Sequence, residues 1–155
     1  PASATVVNGT LSGGNTDSLK NLDRNFYRVA SKFVTNIGQV TDTDFFFNGV
    51  SRTNLNALEA VASASQEGGE VVTGTLYIWN FATSKWDVLK QGSLPWGQNV
   101  TTISGRVSTN PLNFVSTAGQ VRLRLRSFEG INRLRGNPRQ HTALIDRMLL
   151  APSNS

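Results

Sequence analysis

Six consecutive residues, Val121-Arg122-Leu123-Arg124-Leu125-Arg126, alternate apolar and cationic without interruption. A period of two has one economical solution. In an extended strand successive side chains point to opposite faces, so three aliphatic groups enter a core while three guanidinium groups stand on the other side. A helix would scatter both kinds around its axis and segregate neither. The apolar face of such a strand must be covered by a second layer, which directs the chain toward a sheet packed on a sheet.

The rest of the chain supplies the other strands. Thr5-Val6-Val7 reads as a short opening strand, followed by a loop from Leu11 to Asn15 whose paired glycines permit positive φ. Phe26 to Phe33 alternates Phe26, Arg28, Ala30 and Lys32 against Tyr27, Val29, Ser31 and Phe33, and is expected to be one half-buried strand. Asp44-Phe45-Phe46-Phe47 forms a compact apolar segment closed by Asn48-Gly49. Leu55 to Gln66 has strong helix formers but also sets Leu58, Ala60, Ala62 and Ala64 on one face of a strand, and is assigned to strand. Val72 to Trp79 and Trp86 to Leu89, joined by turn-like residues, predict a hairpin. Val100 to Val107 and Ala143 to Leu150 complete the set, with Pro152 expected to end pairing. The expectation is an all-β fold: a single β-sandwich or jelly roll of about eight antiparallel strands over residues 1–155.

Catalytic and metal-binding chemistry finds little purchase. There is no Cys, and the single His141 cannot supply a multi-histidine metal site. His141 is expected at the surface or as a cap. No nucleophile elbow, phosphate-binding glycine loop or zinc-protease motif occurs. Asp42 and Asp44, with Asp17 and Asp23 nearby in sequence, are read as solvated turn carboxylates; Ca²⁺ is the one cofactor for which they offer ligands. A non-enzymatic protein is expected. No apolar stretch approaches the ~20 residues that span a bilayer.

Two residue sets remain for recognition. Tyr77, Trp79, Trp86 and Trp96 are candidates for stacking on pyranose rings, with Trp96, in a Pro/Gly loop, expected to be the most exposed and to carry most of any glycan affinity. Arg122, Arg124, Arg126, Arg133, Arg135 and Arg139 form a basic patch. Residues 1–75 hold five Lys/Arg against seven Asp/Glu, a net charge of −2; residues 76–155 hold ten against three, a net charge of +7. That asymmetry predicts an acidic partner such as a second copy of the chain, with the basic face contributing little to folding because exposed ion pairs are weak. Nucleic acid is the less favoured partner, since no nucleic-acid-binding motif accompanies the patch.

Taken in order, G-T-L-S-G-G, L-K-N-L-D-R-N-F-Y-R-V-A-S, L-Y-I-W-N-F-A-T-S-K-W-D-V-L, G-Q-V-R-L-R-L-R-S and L-I-D-R-M-L-L resemble small jelly-roll modules of the carbohydrate-binding type found in bacterial surface proteins. The chain also resembles decoration proteins of phage capsids. Neither end has a Pro/Ser/Thr-rich linker, so a free-standing domain is expected. The resemblance implies a β-sandwich subunit docking in many copies on a capsid, cell-surface or filament lattice; the alternative is a carbohydrate-binding module. Either role implies a place on a virion or at the cell surface.

Overall fold

The computed structural model describes residues 1–132, 134 and 136–155. In chain order the strands are β1 (Ser3–Asn8), β2 (Thr10–Gly13), β3 (Tyr27–Ala30), β4 (Lys32–Val34), β5 (Gly38–Phe47), β6 (Leu55–Glu67), β7 (Thr73–Asn80), β8 (Lys85–Ser93), β9 (Thr101–Val107), β10 (Val121–Gly130) and β11 (Thr142–Asn154). They form two sheets, both antiparallel. The first runs β1-β5-β10-β7-β8, with β4 added beside β5; the second runs β2-β3-β11-β6-β9. The excess over about eight strands comes mainly from short pieces, β2, β3 and β4, that edge or bridge the sheets.

The core lies between the sheets. From β10, Val121, Leu123 and Leu125 are buried in it, together with Phe45, Leu76 and Ile78 from the same sheet and Leu58, Ile145 and Met148 from the other. Tyr27 meets Phe45 edge-on across the gap, with ring centroids 6.4 Å apart. Two expectations need correction. Phe26 to Phe33 is not one strand: β3 pairs with β11 in the second sheet and β4 with β5 in the first. The chain crosses between sheets at Ser31, whose N–H donates to the His141 carbonyl oxygen at 2.8 Å and whose hydroxyl donates to Gln39 Oε1 at 2.7 Å. Pro152 does not end pairing, because β11 continues against β6 to Asn154. β3 pairs with β11 only as far as Ile145, so the far end of β11 is an edge, where a residue without an N–H interrupts no ladder.

β6 is strand, as assigned, despite its alanines. It is paired along both edges, by β11 and β9, and tertiary pairing overrides local helix propensity. Among the described residues no helix is long and apolar enough to cross a membrane.

Candidate functional site

With its aliphatic residues in the core, β10 must display Arg122, Arg124 and Arg126 on the outer face of the first sheet. Register decides what stands beside them. Arg122 lies opposite Phe46, Arg124 opposite Asp44 and Arg126 opposite Asp42 on β5. On the other side Arg124 faces Tyr77 and Arg126 faces Thr75 of β7. Beyond β7, Trp79 pairs with Trp86 and Tyr77 with Val88 of β8. The outer face is therefore a mosaic of carboxylates, guanidinium groups and aromatic rings, and all three meet in the Asp44–Arg124–Tyr77 row.

The carboxylates are not solvated turn residues. Asp42 is 0% exposed and Asp44 is buried. Arg124 Nε and Nη2 donate to the two oxygens of Asp44 at 2.5 and 2.9 Å. Arg126 Nε and Nη2 donate to those of Asp42 at 2.8 and 3.0 Å, and Asn8 Nδ2 adds a third donor to Asp42 at 2.7 Å. Bidentate pairs of this kind fix both groups in position. The hydrogen bonds to Asp44 and Asp42 push the two guanidinium groups up from an already high range. The acidic partner sought for two of these arginines is thus the protein's own first half. The unneutralised arginine ladder on which lattice docking was expected to rest is largely internal structure. The Ca²⁺ expectation also fails on geometry. Asp42 and Asp44 are occupied by arginines, Asp17 pairs with Lys20 at 2.8 Å, and Asp23 accepts the Asn25 N–H. Among the described residues no group of three or more potential ligands could hold a metal ion.

Three of the four aromatic candidates come together. Trp79 and Trp86 pack edge to face with centroids 5.1 Å apart, and the Arg124 guanidinium lies 4.4 Å from the Trp86 ring centroid. Tyr77, Trp86, Arg124 and Arg126 line a cavity of about 150 Å³, room for about five waters at liquid density. Arg126 also borders a trough of about 590 Å³ that extends toward β4. Trp96 is indeed highly exposed, at 69%, but it stands apart. Its backbone bridges to Gln66 in the second sheet, and among the described residues it neither stacks on the Trp79–Trp86 pair nor lines the Tyr77–Trp86 cavity.

The remaining arginines separate as well. Arg122 donates from Nε to Gln120 Oε1 at 2.8 Å and sits 5.9 and 5.2 Å from the Phe46 and Phe81 ring centroids. Arg139 lies in the β10–β11 connection, at the end of the sandwich, where it lines a separate cavity with Phe128 and Ile131. Arg133 and Arg135 lie outside the described residues.

His141 is neither a surface residue nor a cap. It is 1% exposed, its Nε2 is 2.7 Å from Ser127 Oγ, and Ser127 in turn bonds Thr41. Burial pulls its pKa down to about 4, partly opposed by the charge of Glu129. A buried, neutral imidazole in a chain of hydroxyl groups ties the two sheets together and has no access to substrate.

Sequence reasoning missed Asp42, Asp44, Phe46 and Phe81 as parts of this face. The signal was present, since Asp-x-Asp has the same two-residue spacing as Arg-x-Arg, but neither strand alone announces its partner.

Comparison with solved structures places the architecture. TmCBM61, solved in complex with β-1,4-galactotriose, superposes with a TM-score of 0.54 at 8% identity, covering 97% of this chain and 88% of that one. The CBM22-1–GH10 modules of Clostridium thermocellum endo-1,4-β-D-xylanase 10B, complexed with xylohexaose, give 0.52 at 14% identity, covering 97% of this chain. The fold is the jelly-roll β-sandwich of carbohydrate-binding modules. An exo-β-agarase gives 0.56 at 10% identity over 100% of this chain. The chain spans only 24% and 29% of the agarase and xylanase chains. No protein-family model and no curated protein matches the sequence.

Proposed function

We propose that this domain is a non-catalytic carbohydrate-binding module that grips a glycan on the outer face of its first sheet, in a surface or extracellular setting. One observation carries the reading: Tyr77 and Trp86, the latter packed edge to face against Trp79, line the same open cavity as two arginines fixed by buried carboxylates. Sugars present apolar ring faces and a fringe of hydroxyl groups. A site for them needs rigid aromatic edges beside a few oriented polar groups, with little freedom left to lose on binding. The Asp–Arg pairs supply the oriented polar groups, because the partly exposed guanidinium groups keep N–H donors for sugar hydroxyls while the buried carboxylates hold them still. The likeness of fold to sugar-complexed modules supports the reading. Isothermal titration calorimetry against a panel of soluble plant, algal and bacterial polysaccharides tests it. At least one should bind, and Trp86→Ala should weaken that binding by about tenfold or more while Trp96→Ala leaves it within about twofold. Binding abolished by Trp96→Ala and untouched by Trp86→Ala would overturn the assignment of the site.

A further inference from the structure

We infer that the glycan is acidic: the groove across the first sheet recognises an oligosaccharide containing uronic acid, with Arg122 and Lys32 as the carboxylate-binding cations. The inference rests on the glycan-binding reading above and narrows its ligand class. It starts from a difference among the arginines of β10. Arg124 and Arg126 each direct two N–H donors to one carboxylate, so their charges are compensated. Arg122 is held only by the Gln120 amide oxygen and by the rings of Phe46 and Phe81. An amide and two π faces fix the plane of a guanidinium, yet they leave its charge unanswered. Among the described residues no carboxylate pairs with Arg122. A planar, pre-positioned fork of N–H donors with no anion is a receptor for a carboxylate.

Lys32 gives the groove a second cation. It lines the 590 Å³ trough with Asn8, Phe33, Ile37, Val40 and Arg126, and no carboxylate among the described residues pairs with it. Arg126 borders both this trough and the Tyr77–Trp86 cavity, so the two share one wall. Lys32 pairs with Val40, and Arg122 with Phe46, on the same strand β5. The two cations are therefore about 20 Å apart along the strand, at ~3.3 Å per residue. One sugar cannot reach both, but an oligosaccharide with carboxylates on separate rings can. Aromatic edges and saturated Asp–Arg pairs between them serve neutral hydroxyl groups, which suits a chain in which acidic and neutral surfaces alternate. The net charge of +5 adds a long-range attraction for a polyanion.

The experiment compares several polyuronates, each beside its own carboxyl-reduced neutral form, by calorimetry at ~0.05 M and ~0.5 M salt, on the parent protein, Arg122→Gln and Lys32→Gln. At least one uronate should bind about tenfold or more tighter than its reduced form at low salt. Arg122→Gln should erase most of that preference, bringing the affinity for the uronate down toward that for its reduced form. Should Arg122→Gln fail to fold, judged by circular dichroism, Lys32→Gln on its exposed strand makes the same comparison. If acidic and reduced forms bind alike, the inference is overturned and the glycan-binding reading stands. If no saccharide of either kind binds the folded protein, the reading itself falls. If a poly-dT oligonucleotide binds more tightly than any uronate, and Arg122→Gln weakens it, the face belongs to single-stranded nucleic acid and the inference is again overturned.

Discussion

Lowering the pH from 7 to 4 should destabilise this fold by about 3 kcal/mol through His141 alone. In the folded state the ring is buried, its Nε2 is engaged with Ser127, and its Nδ1 has no hydrogen-bond partner. A second proton would add a positive charge to the interior and an N–H with nothing to receive it. That is why the pKa falls from the usual 6.5 to about 4. The unfolded chain takes up the proton as pH drops through about 6.5, whereas the folded chain resists until about 4. Between those values the unfolded state binds more protons, so stability rises with pH. The contribution is fully present above pH 6.5, declines as pH falls, and levels off below 4. The width of this window at ~1.36 kcal/mol per pH unit gives the ~3 kcal/mol, a large part of a typical net stability of ~5–15 kcal/mol. Urea unfolding at pH 7.5, 5.5 and 4 measures it. His141→Gln, which keeps an amide near Ser127 and cannot titrate, is the control: it will start less stable but should lose markedly less over the same interval. Parallel pH profiles for parent and variant would refute the argument.

Other consequences are simpler. Leu123→Ala removes a fully buried side chain between the sheets and should cost about 2–5 kcal/mol by chemical denaturation. Arg126→Ala leaves the Asp42 carboxylate, 0% exposed, with Asn8 as its one side-chain donor among the described residues, and should cost about 3 kcal/mol. Asp42→Asn should cost less, about 1 kcal/mol, because the Arg126 side chain is 41% exposed and can be rehydrated; equal costs would show that the pair is not asymmetrically buried. Gly38→Ala should lower the melting temperature by several degrees, since φ is 138° there and a Cβ would overlap the Glu129 carbonyl oxygen.

The expectation that arginines on β10 contribute little to folding shows where sequence reading stops. The alternation of Val121 to Arg126 tells which residues face the core, and the structure agrees residue by residue, because a period of two is a property of one strand. What lies opposite a strand is a property of two. Asp42 and Asp44 read alone as solvated turn carboxylates, whereas the register of β5 against β10 brings each to an arginine. His141 was misjudged for the same reason: its partners Ser127 and Ser31 come from β10 and from the crossover between sheets. The Val72 to Leu89 hairpin was legible because its contacts are local, and it alone delivered Tyr77, Trp79 and Trp86 to one face. Trp96 was correctly expected to be exposed, but exposure carries no information about company.

The most direct test of the account is to locate a bound sugar by NMR, titrating the best glycan from the calorimetric panel into labelled protein. Amide and side-chain N–H shifts should move at Tyr77, Trp79, Trp86, Arg122, Arg124 and Arg126, with the indole N–H of Trp96 and the outer residues of the second sheet unmoved. Saturable shifts confined to the Trp96 loop or to β6, β9 and β11 would contradict the central claim that the outer face of the first sheet is the binding site.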